Sequence, residues 1–134
     1  KVSVALHVAV FGETKKRVMV AKECKSDAKC WEKKLDDADT GIRERAAYEI
    51  GRSGDVAMVD VLTKRLTEKN LDARLAIIQA TDWLVTDSKE AAKQAAKAVP
   101  ALEKQIADEK GKTEFVKVNE DLRRLLALLK RSAA

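Results

Sequence analysis

Apolar residues recur every three or four positions through most of the chain, which is the spacing of helices that each bury one face. The pattern is clearest in residues 39–66, where two apolar stripes are separated by Gly54 and Asp55. Asp39 precedes the first stripe and is a residue type that caps helix N-termini. The segment therefore predicts two short helices joined by a turn. Its predicted inward positions are Ile42, Ala46, Ala47, Ile50, Val59, Leu62 and Leu66.

The helices that follow are predicted from the same spacing. Asn70 is expected to cap the next helix, and Asp87 with Glu90 has capping-box spacing at the start of another. Pro100 lies inside that later stripe, so either the helix kinks there or a new helix starts with proline in its first turn. Residues 111–113 predict a break before a last helix, and residues 131–134 are expected to fray. The predicted inward positions are Ala73, Ile77, Ala80, Leu84, Ala91, Ala95, Ala98, Leu102, Val118, Leu122, Leu125 and Leu129.

The N-terminal segment is ambiguous, because residues 2–11 fit both the alternation of a strand and a helical stripe. Residues 17–21 are the only candidate for a partner strand, and an isolated two-stranded hairpin is marginally stable, so a helix is favoured. Thr14 is expected to cap a basic helix that reaches Cys24. A break at residues 25–27 then leads into a short helix at residues 28–35.

A short pattern occurs three times: Asp or Asn, then an apolar residue three positions later, then Arg. The Asp or Asn would cap a helix, the apolar residue would fill the seam between stacked units, and the arginine could reach a neighbouring acidic cap or carbonyl. The second helices also match, with Val59 to Leu62 against Val99 to Leu102. The three copies are Asp39/Ile42/Arg43, Asn70/Ala73/Arg74 and Asn119/Leu122/Arg123.

The segment IRERAAYEIGRSGDVAMVDVLTKRL resembles the short HEAT-like repeat of the phycobilisome-lyase type, in which an R-x-x-A-A-x-x-apolar-G helix leads through Gly-Asp into a V-P-A-L helix. The resemblance covers residues 36–130, although residues 86–99 lengthen the middle unit. It implies an all-α fold, a short α-solenoid of about three stacked antiparallel helical hairpins. Residues 1–35 would form an atypical N-terminal cap, and residues 1–134 a single domain.

The charge distribution argues against a nucleic-acid partner. Residues 1–35 hold nine Lys/Arg and four Asp/Glu, whereas residues 36–134 hold eighteen of each. A repeat body without a basic stripe lacks the cations that neutralise phosphates. No apolar stretch approaches the length needed to span a bilayer. Membrane association is therefore expected only through a leader or lipid anchor, if one preceded Lys1.

The two cysteines, Cys24 and Cys30, flank the predicted break at residues 25–27. Two cysteines and the single, distant His7 cannot complete a four-ligand zinc site, so no metal or other cofactor is expected. Because the pair brackets a turn, a disulfide is favoured over two reduced core thiols. A disulfide would indicate an oxidising compartment such as a periplasm; reduced thiols would indicate the cytoplasm.

The other residues with chemical potential are expected to be structural. His7 has no nucleophile to serve, and Trp31 and Trp83 are expected to fill the core or the seams between repeats. The acidic residues 36–39 are explained by the favourable effect of negative charge at a helix N-terminus.

The sequence therefore favours the function of a non-enzymatic scaffold that binds another protein. Second helices usually line the concave side of such stacks, so the equivalent residues Lys64 and Lys104 are the favoured partner contacts. Two alternatives stay open: an accessory factor of the lyase or chaperone type that handles a prosthetic group, and, less favoured, a nucleic-acid-binding repeat.

Overall fold

The computed structural model describes residues 14–133, and within that range the chain is all-helical, with no strand. The question of helix or strand at residues 2–11, and the placement of His7, lie outside the described residues. The α-helices are α1 (Lys15–Cys24), α2 (Ala28–Lys34), α3 (Thr40–Ser53), α4 (Val59–Thr63), α5 (Leu71–Asp87), α6 (Lys89–Ala95), α7 (Val99–Glu109) and α8 (Val116–Ala133). Short 3-10 turns, Val56–Met58, Ala96–Ala98 and Thr113–Phe115, lead into α4, α7 and α8.

Side-chain caps begin most of these helices at the expected places. Thr14, Asp27, Asp39 and Asn70 each accept a hydrogen bond from a backbone N–H in the first turn of the helix that follows. The predicted capping box at Asp87 is wrong, because α5 continues through Asp87 and Ser88 caps α6 instead.

Glycine and proline occur at the breaks between the helices from α3 to α7. Gly54 follows α3 with a φ of +70°, a left-handed conformation that favours glycine. Asp55 caps the following 3-10 turn. At Pro100 a new helix starts rather than a kink, with the proline in the first turn of α7.

The third copy of the repeat pattern does not start a helix. The 3-10 turn at Thr113–Phe115 leads directly into α8 at Val116, so Asn119 lies inside the helix and is buried. The expectation that Asn119 caps a helix is therefore wrong. Arg123 is exposed, unlike Arg43 and Arg74. The helix continues through Ala133, into the segment expected to fray.

The core lies along the predicted inward faces. All of the inward positions predicted from the spacing are buried except Ala98, which is partly buried. The closest approach between helices is at Gly51 of α3, where an added Cβ would lie 2.8 Å from Cα of Ala80 and 2.8 Å from Cε3 of Trp83. Helices α3 and α5 therefore touch almost backbone to backbone near their C-terminal ends.

Candidate functional site

Cys24 and Cys30 form a disulfide that joins the end of α1 to α2, with a Cα–Cα distance of 5.2 Å. The buried Trp31 directly follows Cys30, and its indole N–H donates a 2.7 Å hydrogen bond to the carbonyl of Lys25, inside the loop that the disulfide closes. The Arg45 guanidinium lies 5.7 Å from the centre of the Trp31 ring. The disulfide thus belongs to a packed connection between α1, α2 and α3.

The same region contains one grouping with metal-ligand chemistry, Glu23 with the two cysteines. Both sulfurs are used in the disulfide, so neither can be a thiolate ligand. The Glu23 carboxylate lies 3.3 Å from Nζ of Lys34. These residues therefore form a structural connection and not a metal site.

The acidic residues before α3 are paired with protein cations. Asp36 bonds to Arg65, and Asp37 bonds to Lys16, each at 2.9 Å. Asp39 accepts two bonds from Arg17, at 2.8 and 2.6 Å. These bonds, opposed by partial burial, lower the pKa of Asp39 to about 2 and raise the pKa of Arg17. These carboxylates place negative charge at the N-terminus of α3. They also join the start of α3 to α1 and to the segment that follows α4.

The repeated arginines Arg43 and Arg74 make equivalent contacts. Arg43 donates to the carbonyl of Asp37 at 2.9 Å, and Arg74 donates to the carbonyl of Glu68 at 2.7 Å. Each also binds a carboxylate further along the chain, Glu68 for Arg43 and Glu109 for Arg74. The predicted role, an arginine that reaches a neighbouring carbonyl or acidic group, is confirmed for these two copies.

The Arg74–Glu109 pair is the most deeply buried charge pair among the described residues. Two bonds of 2.8 and 2.9 Å join the guanidinium to the carboxylate, and the arginine is 0% exposed. The Arg74 hydrogen bonds lower the pKa of Glu109 against the opposing effect of burial, helped by amide donors on Asn119 and Gln105. The Phe115 ring centre lies 4.9 Å from the guanidinium carbon. The Arg74–Glu109 bonds join α5 to α7, and the Asn119 amide joins α8 to the same carboxylate.

The two lysines favoured as partner contacts are both exposed, on α7 and directly after α4. Lys104 donates a 2.8 Å hydrogen bond to Asp108 on its own helix, which raises the pKa of the lysine. Lys64 has no carboxylate partner among residues 14–133. Both lysines therefore lie on the surface, and no described residue is bonded to both of them.

A second surface was not predicted from the sequence, and it lies on α3 and α5. Tyr48 and Trp83 are both partly exposed, and their ring centres are 5.8 Å apart at a tilt of 43°. Glu44 lies one turn before Tyr48 on α3, and the charge of Asp72, at the start of α5, acts on it. Burial and the Asp72 charge raise the pKa of Glu44, and burial with the charges of Glu44 and Asp72 raises that of Tyr48. We call these four residues the α3–α5 strip.

The sequence held only part of the signal for this strip. The spacing of Glu44 and Tyr48 places them on one face of α3. Asp72 and Trp83 join them only because α3 and α5 pack side by side, and local periodicity does not give that register. Trp83 was expected to fill a seam, and it does pack against Gly51, but part of its ring remains on the surface.

Comparisons with family models, with curated proteins and with solved structures return no match to this chain. Among the described residues, no helix is both long and apolar enough to cross a membrane.

Proposed function

We propose that this protein is a non-enzymatic scaffold, built from stacked HEAT-like helical hairpins, that binds another protein. Single hairpins of this kind cannot bury their apolar faces alone, so they stack and present extended surfaces to partners. The function of such a stack lies in those surfaces and not in the fold itself.

The observation that carries the proposal is the equivalence of the segments that begin α3 and α5. In the first, the Asp37 carboxylate accepts a hydrogen bond from the backbone N–H of the cap residue Asp39; in the second, Glu68 does the same for Asn70. The arginine four residues after each cap donates to the carbonyl of the same acidic residue. A local geometry that recurs in this detail is what a repeated unit requires.

The direction of the two helices also supports stacking. Near the N-terminal ends of the two helices, the charge of Asp72 on α5 acts on Glu44 on α3. Nearer their C-terminal ends, Tyr48 on α3 contacts Trp83 on α5. The helices therefore run side by side in the same direction. First helices of successive hairpins have this relation in a solenoid.

We place the partner contacts of this scaffold on the surface that carries Lys64 and Lys104. Not all of its polar groups are free, because Gln94 donates to Asp60, and Lys130 to Glu103. The side chains of Lys64 and Lys104 are both exposed, and Lys104 donates to Asp108 on its own helix.

Capture from extracts of the native organism tests the scaffold and its surface together. The wild-type chain is compared with Lys64→Glu/Lys104→Glu and with a matched variant, Lys93→Glu/Lys117→Glu, that reverses two exposed lysines elsewhere. We expect a protein that is retained by the wild type and the control but lost from the first variant. Equal retention by all three chains would refute the role of the lysines, and no specific retention by the wild type would refute the scaffold.

We further propose that the protein works in an extracytoplasmic compartment, because the Cys24–Cys30 disulfide persists only where conditions are oxidising. Rapid acid quenching of native cells, thiol alkylation and mass measurement test this. We expect the unalkylated, oxidised chain. Two alkylated cysteines would place the protein in a reducing compartment.

A further inference from the structure

We infer that the α3–α5 strip is a docking surface for an extended protein segment that carries arginine or lysine. This inference rests on the proposed scaffold function and supplies the chemistry of a partner segment. It involves the first helices of the two hairpins, and so a different surface from that of Lys64 and Lys104.

The aromatic end of the strip has the properties of a binding hot spot. Tyr48 and Trp83 are partly exposed, and neither the Tyr48 hydroxyl nor the Trp83 indole N–H has a hydrogen-bond partner among residues 14–133. Tyrosine and tryptophan are enriched among the residues that dominate binding energy at protein interfaces. Their ring faces also attract a cation, and arginine more often than lysine.

The rings are held in place from beneath. Trp83 packs on Gly51, whose lack of a side chain lets α5 approach α3 closely. Tyr48 lies on the same helix as Gly51 and is packed against the core. A binding surface whose aromatic groups are already ordered loses less side-chain entropy when a partner docks.

Within residues 14–133, no cation is bonded to the acidic end of the strip. Glu44 and Asp72 form no hydrogen bond or ion pair with another side chain of this range. The Asp72 charge adds to the raised pKa of Glu44, and both charges add to the raised pKa of Tyr48. The charge of Arg17 acts on Glu44 and that of Arg52 acts on Tyr48, but both guanidinium groups are bonded to other carboxylates. Arg17 makes two bonds to Asp39, and Arg52 donates to Glu49 at 3.1 Å.

The partial burial of Glu44, with a second carboxylate acting on it, gives the inference its direction. Asp36, Asp37, Asp39, Glu68 and Glu109 each bind a cation supplied by the chain itself. The Asp72 charge opposes the ionisation of Glu44, which lies one turn from Tyr48, and a guanidinium or ammonium group from a partner would offset that repulsion.

The dimensions of the strip suit an extended segment. Asp72 and Trp83 are eleven residues apart on α5, which is about 16 Å along a helix axis. An extended chain advances about 3.3 Å per residue, so roughly five residues would span the strip. A basic residue over Glu44 and Asp72 would leave room for a second basic or apolar residue on the rings.

The test is a titration of the isotopically labelled chain followed by NMR. The probe is the peptide acetyl-Gly-Arg-Gly-Arg-Gly-amide, and the peptide with glutamate in place of arginine is its control. We expect the arginine peptide to shift the indole N–H signal of Trp83 and the amide signals around Glu44 and Asp72. Trp31 serves as an internal reference, because its indole is buried and bonded to Lys25.

The variants make the result specific. In Glu44→Gln/Asp72→Asn we expect the affinity for the arginine peptide to fall about tenfold, the factor that corresponds to 1.4 kcal/mol. The control Glu90→Gln/Glu114→Gln removes the same charge from two exposed positions elsewhere and should bind like the wild type. Trp83→Phe tests the rings separately and should also weaken binding.

Three outcomes would overturn the inference: no shift at Trp83 with about 10 mM arginine peptide, a weak-binding limit; equal shifts with the glutamate peptide; or equal binding by Glu44→Gln/Asp72→Asn and its control. None of these touches the scaffold proposal, which the capture experiment decides. Conversely, a chain that binds the peptide at the strip but retains no cellular protein would refute the scaffold and leave the cation-binding surface established.

Discussion

Replacing Arg74 with methionine should be the most destabilising single change at a charged residue within residues 39–130. The substitution keeps much of the apolar volume of the side chain but leaves the Glu109 carboxylate, 6% exposed, without its cation. Breaking a buried pair by removing one partner costs about 3–5 kcal/mol. Urea unfolding followed by circular dichroism measures the loss directly, in a chain whose total stability should be about 5–15 kcal/mol.

The pH dependence shows whether the uncompensated charge causes the loss. In the wild type, Arg74 holds the pKa of Glu109 below its ordinary value of 4.5, so the pair stabilises the fold above that pH and this contribution is lost as pH falls through the lowered pKa. In Arg74→Met no guanidinium offsets the burial of the Glu109 carboxylate. Protonation of Glu109 therefore removes part of the destabilisation of the variant. The deficit should therefore shrink between pH 7 and pH 3.

A double variant completes the experiment. Arg74→Met/Glu109→Met removes both charges, so it should recover at least half of the stability lost in Arg74→Met, although Asn119 then loses its carboxylate acceptor. A deficit that stays constant from pH 7 to pH 3, or a double variant no more stable than the single one, would refute the reasoning. The loss would then be one of packing alone.

Three further predictions concern other contacts of the fold. Arg17→Gln should raise the pKa of Asp39 from about 2 toward its ordinary 3.8, measured by NMR of the carboxyl carbon, so the stability that the wild type loses only as pH falls through about 2 should be lost at higher pH; an unchanged pKa would contradict the assigned cause. Reduction of the disulfide, or Cys24→Ala/Cys30→Ala, should lower the free energy of unfolding by about 2 kcal/mol, the value for so short a loop; identical unfolding curves for both redox states would exclude this contribution. Gly51→Ala should destabilise by about 1–3 kcal/mol, because overpacking outweighs the helix propensity of alanine, and it should change tryptophan fluorescence; a rise in the melting temperature would show that the helices separate freely.

The helical pattern was predictable because each signal for it is local. Asp39 and Asn70 cap helices as expected, and the apolar stripes after them are buried. The errors come from competition between neighbouring signals. Asp87 and Ser88 are both good caps, and the choice depended on whether α5 continued for one more residue.

The candidate sites were less predictable, because they depend on how helices pair. Asn119 matches the cap pattern by residue type, but the 3-10 turn before α8 starts the helix earlier and places the side chain beside Glu109. The α3–α5 strip is a product of two helices whose register is fixed by the close approach at Gly51. A sequence pattern read along one helix cannot show which residues of another will lie beside it.

The brevity of α4 has a consequence for how the protein folds and unfolds. Five residues, Val59–Thr63, are far fewer than an isolated helix needs to persist in water, so α4 exists only while its neighbours pack on Val59 and Leu62. Repeat proteins with self-sufficient units can unfold one unit at a time from their ends. Here α4 has no independent stability, and we expect residues 39–130 to unfold as a single cooperative unit, with the amides of α3, α4 and α5 exchanging their hydrogens through the same global opening.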